Sequence, residues 1–124
     1  MKLSLIKLSF LFLSNCLGSK IEPSGKYCGE VINNPIDIYF SSNNHLANIS
    51  ASIFKQDYLC PNEKYQYDYS NYNIQLPVNQ DDCLNQILSK YNLCPCPPTS
   101  YYNKDSDSVS ILNDVIGIID LKKC

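Results

Sequence analysis

The stretch Ile36-Asp37-Ile38-Tyr39-Phe40-Ser41-Ser42-Asn43-Asn44-His45-Leu46-Ala47-Asn48-Ile49-Ser50-Ala51-Ser52-Ile53 holds two alternating runs joined by a polar turn. Ile36, Ile38 and Phe40 alternate with Asp37, Tyr39 and Ser41, and Ala47, Ile49, Ala51 and Ile53 alternate with Asn48, Ser50 and Ser52. Successive side chains of a β-strand point to opposite faces, so each run is a half-buried strand, and Asn43-Asn44 marks the turn between them.

The same pattern continues outward. Gly25 to Val31 is a strand candidate, followed by a turn at Asn33-Asn34-Pro35. Lys64 to Tyr69 alternates with Tyr65, Tyr67 and Tyr69 on one face, and Ser70 to Asn73 turns into a further strand at Ile74-Gln75-Leu76-Pro77. Tyr101 and Tyr102 lead to a polar turn over Asn103 to Asp107. Val109, Ile111 and Leu112 are then separated by Asn113-Asp114 from Val115 to Leu121, which is a hairpin signal.

One segment has a different period. Cys83, Leu84, Ile87, Leu88 and Tyr91 form an apolar stripe at helical spacing, with Asn85, Gln86, Ser89 and Lys90 outward. Asp81 and Asp82 precede it, where carboxylates meet free amides, and Pro95, Pro97 and Pro98 prevent its extension. A helix this short requires docking of its stripe.

The N-terminus predicts a secretory leader over residues 1–18. Lys2 and Lys7 precede the apolar run Leu8 to Leu13, and Cys16 and Gly18 are the small residues of a cleavage site. Residues 19–124 then form one small domain with eight lysines, no arginine and twelve acidic residues, a net charge of −4. That balance disfavours nucleic-acid partners, and the leader's apolar run is too short to span a membrane.

Beyond Cys16, the six cysteines Cys28, Cys60, Cys83, Cys94, Cys96 and Cys124 predict a disulfide framework. Cys83 and Cys94, on either side of the helix, need different partners. A closing meander sets the strand of Cys28 beside the last strand, ending at Cys124, and Cys60 lies near the start of the docked helix at Cys83. Cys94 and Cys96 either staple the proline segment at two places or, by elimination, pair with each other or stay reduced.

Short strands joined by turns, with one late helix, predict a mainly β fold: a small antiparallel meander that curls over the helix or closes into a barrel. Gly25-Lys26-Tyr27 resembles the glycine-x-aromatic opening of lipocalin-like barrels, and that resemblance implies a closed barrel. The alternative is an α+β, cystatin-like sheet wrapped on a helix, although in that arrangement the helix comes early.

Catalytic signals are sparse. His45, the single histidine, lies in a polar turn and reads as solvated. Asn103, Asp105, Asp107 and Asp114 imitate a calcium loop, but Ser108 replaces the glycine of its sharp turn. Cys94-Pro95-Cys96 follows a helix, where nothing lowers a thiol pKa. Tyr65, Tyr67 and Tyr69 could offer a ligand platform, yet their alternation assigns all three to the core. Asn48-Ile49-Ser50 is a glycosylation sequon facing solvent.

The expectation is a secreted, non-catalytic binding or interaction module, without cofactor or metal, whose partner is a protein or a small apolar ligand. A small secreted enzyme or protease inhibitor is the alternative. A large apolar cavity among the strands would mark a carrier, and a packed interior with an exposed apolar or tyrosine patch a protein partner.

Overall fold

The computed structural model describes residues 22–124, and the predicted leader with its cleavage site lies outside them. Nine strands, β1 (Gly25–Val31), β2 (Asn34–Ser41), β3 (Leu46–Ile53), β4 (Gln56–Lys64), β5 (Gln66–Asp68), β6 (Asn73–Gln75), β7 (Thr99–Asn103), β8 (Ser108–Asn113) and β9 (Gly117–Lys123), accompany one helix, α1 (Cys83–Lys90). All pairings are antiparallel, in the order β4-β3-β2-β1-β9-β8-β7-β6-β5. The fold is therefore an up-and-down meander whose first and last strands meet.

That junction is tight. Tyr27 faces Lys123 and Cys28 faces Lys122 in register, Cys124 N–H donates to the Lys26 carbonyl at 3.1 Å, and Cys28 is bridged to Cys124. Gly29 permits the approach, since a Cβ there would lie 2.6 Å from Leu121 Cδ2 and 2.8 Å from the Asp120 carbonyl.

The nearly closed barrel has a seam between β4 and β5. Only Tyr65 separates these strands, so they form one bent strand that pairs first with β3 and then with β6. Because β6 is short, the upper part of β4 has no strand on its outer side. α1 occupies that place, held by the Cys60–Cys83 bridge and by Leu84 N–H, which donates to Glu63 Oε1 at 3.2 Å. Asp82 caps the helix through the same Leu84 amide, at 3.1 Å. The helix thus covers an edge strand, and the sheet does not wrap around it.

β4 departs from the expectation drawn from the sequence, where no strand is assigned between Ile53 and Lys64. Its residues are polar and include Pro61, which a central strand excludes. Two conditions admit it here: β4 is a sheet edge, and a bulge between Ala47 and Ile49 of β3 leaves Pro61 and Asn62 unpaired. Asn62, at φ +55°, donates its amide to Asn48 Oδ1 at 2.9 Å. The first turn is also displaced. It consists of Ile32 and Asn33, and Asn34-Pro35 already belongs to β2.

Inward residues differ in size from one end of the barrel to the other. At the floor, Tyr27, Phe40, Tyr65, Tyr67 and Tyr102 pack ring edge to ring face, with centroids 5.2–6.4 Å apart. Tyr27 and Tyr102 both donate their hydroxyls to Asp107 Oδ1, at 2.7 and 2.8 Å. Burial, then the bond to Asp107, pushes the Tyr27 phenol up to about 12. Tyr69 corrects the expectation that all three alternating tyrosines are core: Tyr65 and Tyr67 are 3% and 9% exposed, but Tyr69 is 52% exposed. β5 ends at Asp68, so Tyr69 lies in the following turn, where it donates to Glu22 Oε2 at 2.6 Å.

Candidate binding site

Above the aromatic floor the inward side chains are aliphatic. Ile36, Ile38, Ile49, Ala51, Ile111 and Ile119 from the strands, with Leu84 and Leu88 from α1, surround a cavity of about 240 Å³. Rings fill the lower half and shorter side chains leave the upper half hollow. The volume exceeds the ~150 Å³ of an apolar cavity that stays dry and takes up benzene. At the ~30 Å³ of one water, it has room for on the order of eight non-hydrogen atoms.

Two polar side chains, Asn34 and Asn113, line the cavity, and both are engaged with backbone. Asn34 donates to the carbonyls of Val31 and Ile32, each at 3.1 Å, and accepts from Phe54 N–H at 3.1 Å. Asn113 donates to the Leu93 carbonyl at 2.6 Å and accepts from the amides of Val115 and Ile116 at 2.8 and 3.1 Å. Each asparagine ties together two loops at the cavity mouth. Asn34 has both N–H donors spent and Asn113 both lone pairs, which leaves one acceptor site on Asn34 and one N–H on Asn113.

The mouth is formed by the β1–β2, β3–β4 and β8–β9 turns and by the end of α1. Ile32, Phe54 and Val115 stand there and are largely exposed. Ile32-Asn33 and Phe54-Lys55 are two-residue turns with positive φ throughout, at +50° and +65° and at +50° and +67°. This conformation favours Asn-Gly, and a branched or bulky residue in it costs roughly 1–2 kcal/mol. The fold thus carries large apolar groups at two strained positions on the rim, a placement associated with function. The sequence reading passed over these residues. Their signal was a break in alternation, Val31-Ile32 and Ile53-Phe54, where an apolar pair runs into a turn.

Beside the mouth, Tyr91 borders the cavity, and its hydroxyl lies 2.5 Å from that of Tyr58 on β4. Lys90 Nζ donates to Tyr58 Oη at 3.1 Å and sits 5.5 and 5.6 Å from the centroids of the Tyr58 and Tyr91 rings. The bond to Tyr91 first, and that from Lys90 second, holds the Tyr58 phenol below its ordinary pKa. A second, more polar groove of about 850 Å³ lies at the lower seam, between His45 and Gln75.

The other candidates do not converge. His45 is in a turn at φ +54°, with Nε2 3.4 Å from Glu22 Oε1 and its ring against Tyr65. Asp107 is on the floor, whereas Asp114 is at the mouth, at the other end of β8; about 20 Å separates them at ~3.3 Å per residue, too far to share a cation. Among the described residues no group of His, Cys, Asp and Glu could hold a metal ion. Cys94 is bridged to Cys96 and Cys60 to Cys83, so with Cys28–Cys124 all six cysteines are paired. Asn48 is exposed on β3. No helix among the described residues is long and apolar enough to cross a membrane. Comparisons with protein-family models, curated proteins and solved structures give no match.

Proposed function

We propose that this chain is a secreted, non-catalytic carrier that holds a small apolar molecule inside its barrel. The observation that carries the reading is the cavity of about 240 Å³, walled mainly by aliphatic side chains, whose two asparagines are both tied to the surrounding backbone. Such a chamber rewards apolar surface and offers nothing to a polar group at its centre. Three disulfides support an oxidising compartment, and hence export.

Titration calorimetry of the oxidised protein with 1-octanol tests the proposal. Eight buried carbons at ~0.8 kcal/mol each supply about 6 kcal/mol, and ordering costs of about 1–2 kcal/mol leave a Kd on the order of 200 μM to 1 mM. One-to-one binding with a negative heat-capacity change is expected. Absence of uptake at millimolar octanol would refute the carrier.

A further inference from the structure

From the cluster at the mouth, we infer that the ligand is a single-chain amphiphile with an anionic head, seated with its chain in the cavity and its head at Lys90, Tyr58 and Tyr91. The inference rests on the carrier reading and adds the chemistry of the ligand's polar end.

The donors at this position decide the sign. Tyr58 and Tyr91 together own two O–H protons, and one is used in the 2.5 Å bond between them. Whichever hydroxyl gives that proton, the other O–H remains free to donate. Lys90 spends one of its three N–H donors on Tyr58 Oη, which leaves two. The cluster therefore presents three unspent donors and one positive charge. Among the described residues, no carboxylate lies within ion-pair distance of Lys90. A group that only accepts hydrogen bonds and carries negative charge, a carboxylate above all, satisfies all of these at once.

Position selects an amphiphile over a free anion. Tyr91 is part of the cavity wall, and its hydroxyl belongs to the cluster. A chain leaving the chamber along Tyr91 brings its terminal group to the hydroxyls and the ammonium. The two asparagines are neutral and keep only one N–H and one lone pair between them, so the charged Lys90 cluster is the anchor that selects an anionic head.

The experiment compares octanoate, 1-octanol and octylammonium on the oxidised protein at low salt. Octanoate should bind about tenfold more tightly than octanol, with octylammonium the weakest, and 0.5 M NaCl should reduce the preference. In Lys90→Gln, octanoate should fall to the level of octanol while octanol is unchanged, which also shows that fold and chamber are intact. Lys90→Glu should reverse the order of the two ions. Octanol binding combined with no preference for octanoate, or with a preference that survives Lys90→Gln, overturns this inference and leaves the carrier standing. Loss of octanol binding itself in the unmodified protein overturns both.

Discussion

Ala51→Leu tests whether the chamber is hollow, because the sign of its effect on stability depends on the answer. Ala51 is on β3, opposite Ile36 of β2, and it lines the cavity. Leucine adds three carbons. If they enter free space, burial supplies up to about 2.4 kcal/mol at ~0.8 kcal/mol per carbon. Fixing the longer side chain returns about 0.5–1 kcal/mol, leaving a net gain of about 1.5 kcal/mol. If the interior were packed, the same carbons would force neighbours off their rotamers at a cost of about 1–3 kcal/mol. Urea unfolding of the oxidised protein separates the two cases, since the midpoint moves in opposite directions. Octanol affinity should fall at least tenfold as stability rises. A destabilised Ala51→Leu protein would refute the hollow chamber, and with it the basis for a ligand.

Removing the Cys28–Cys124 bridge by paired alanine substitution should cost about 5 kcal/mol from its separation of 96 residues, and removing Cys60–Cys83, 23 residues apart, about 3 kcal/mol; urea unfolding that gives the reverse order would show that the loops do not set the ranking. Glu63 supplies a pH dependence: burial, then its bond to Asp82, pushes its carboxyl up to about 7 from an ordinary 4.5. The folded state keeps a proton that the unfolded state releases, so this site's stabilisation is complete below about 4.5 and is lost as pH rises through about 7. Urea midpoints taken from pH 4.5 to 8 should fall along that interval, and Glu63→Gln should flatten the slope.

Much of the barrel is legible because its strands have one wet face. The alternation of Ile36 to Ile53 and the hairpin around Asn113 follow from that asymmetry, and Asp82 identifies the start of α1 because a cap needs a side-chain acceptor there. β4 escapes the same reading, since an edge strand with a bulge tolerates Pro61 and needs few apolar residues. Asn34 reads as a turn residue, but its side chain in fact ties the β1–β2 hairpin to the β3–β4 turn at Phe54, a contact across 20 positions. The cavity is less legible still. It is a difference in volume between a ring-filled layer and an aliphatic one, and no single residue carries that signal. The anchor joins Lys90 and Tyr91 on the helix to Tyr58, on the very strand that polarity concealed.

The bond between Cys28 and Cys124 turns almost all of the barrel into a covalent ring. A protease that cuts one peptide bond between these residues opens the ring but releases no fragment, whichever turn it reaches. The two new ends stay tied through the bridge, and every strand can keep the neighbours it had. Shedding a piece of the barrel takes a second cut or a reductant, and a cut on each side of α1 still leaves the helix attached through Cys83 to Cys60. For a chain that exposes this many turns to solvent, the arrangement separates being nicked from being dismantled.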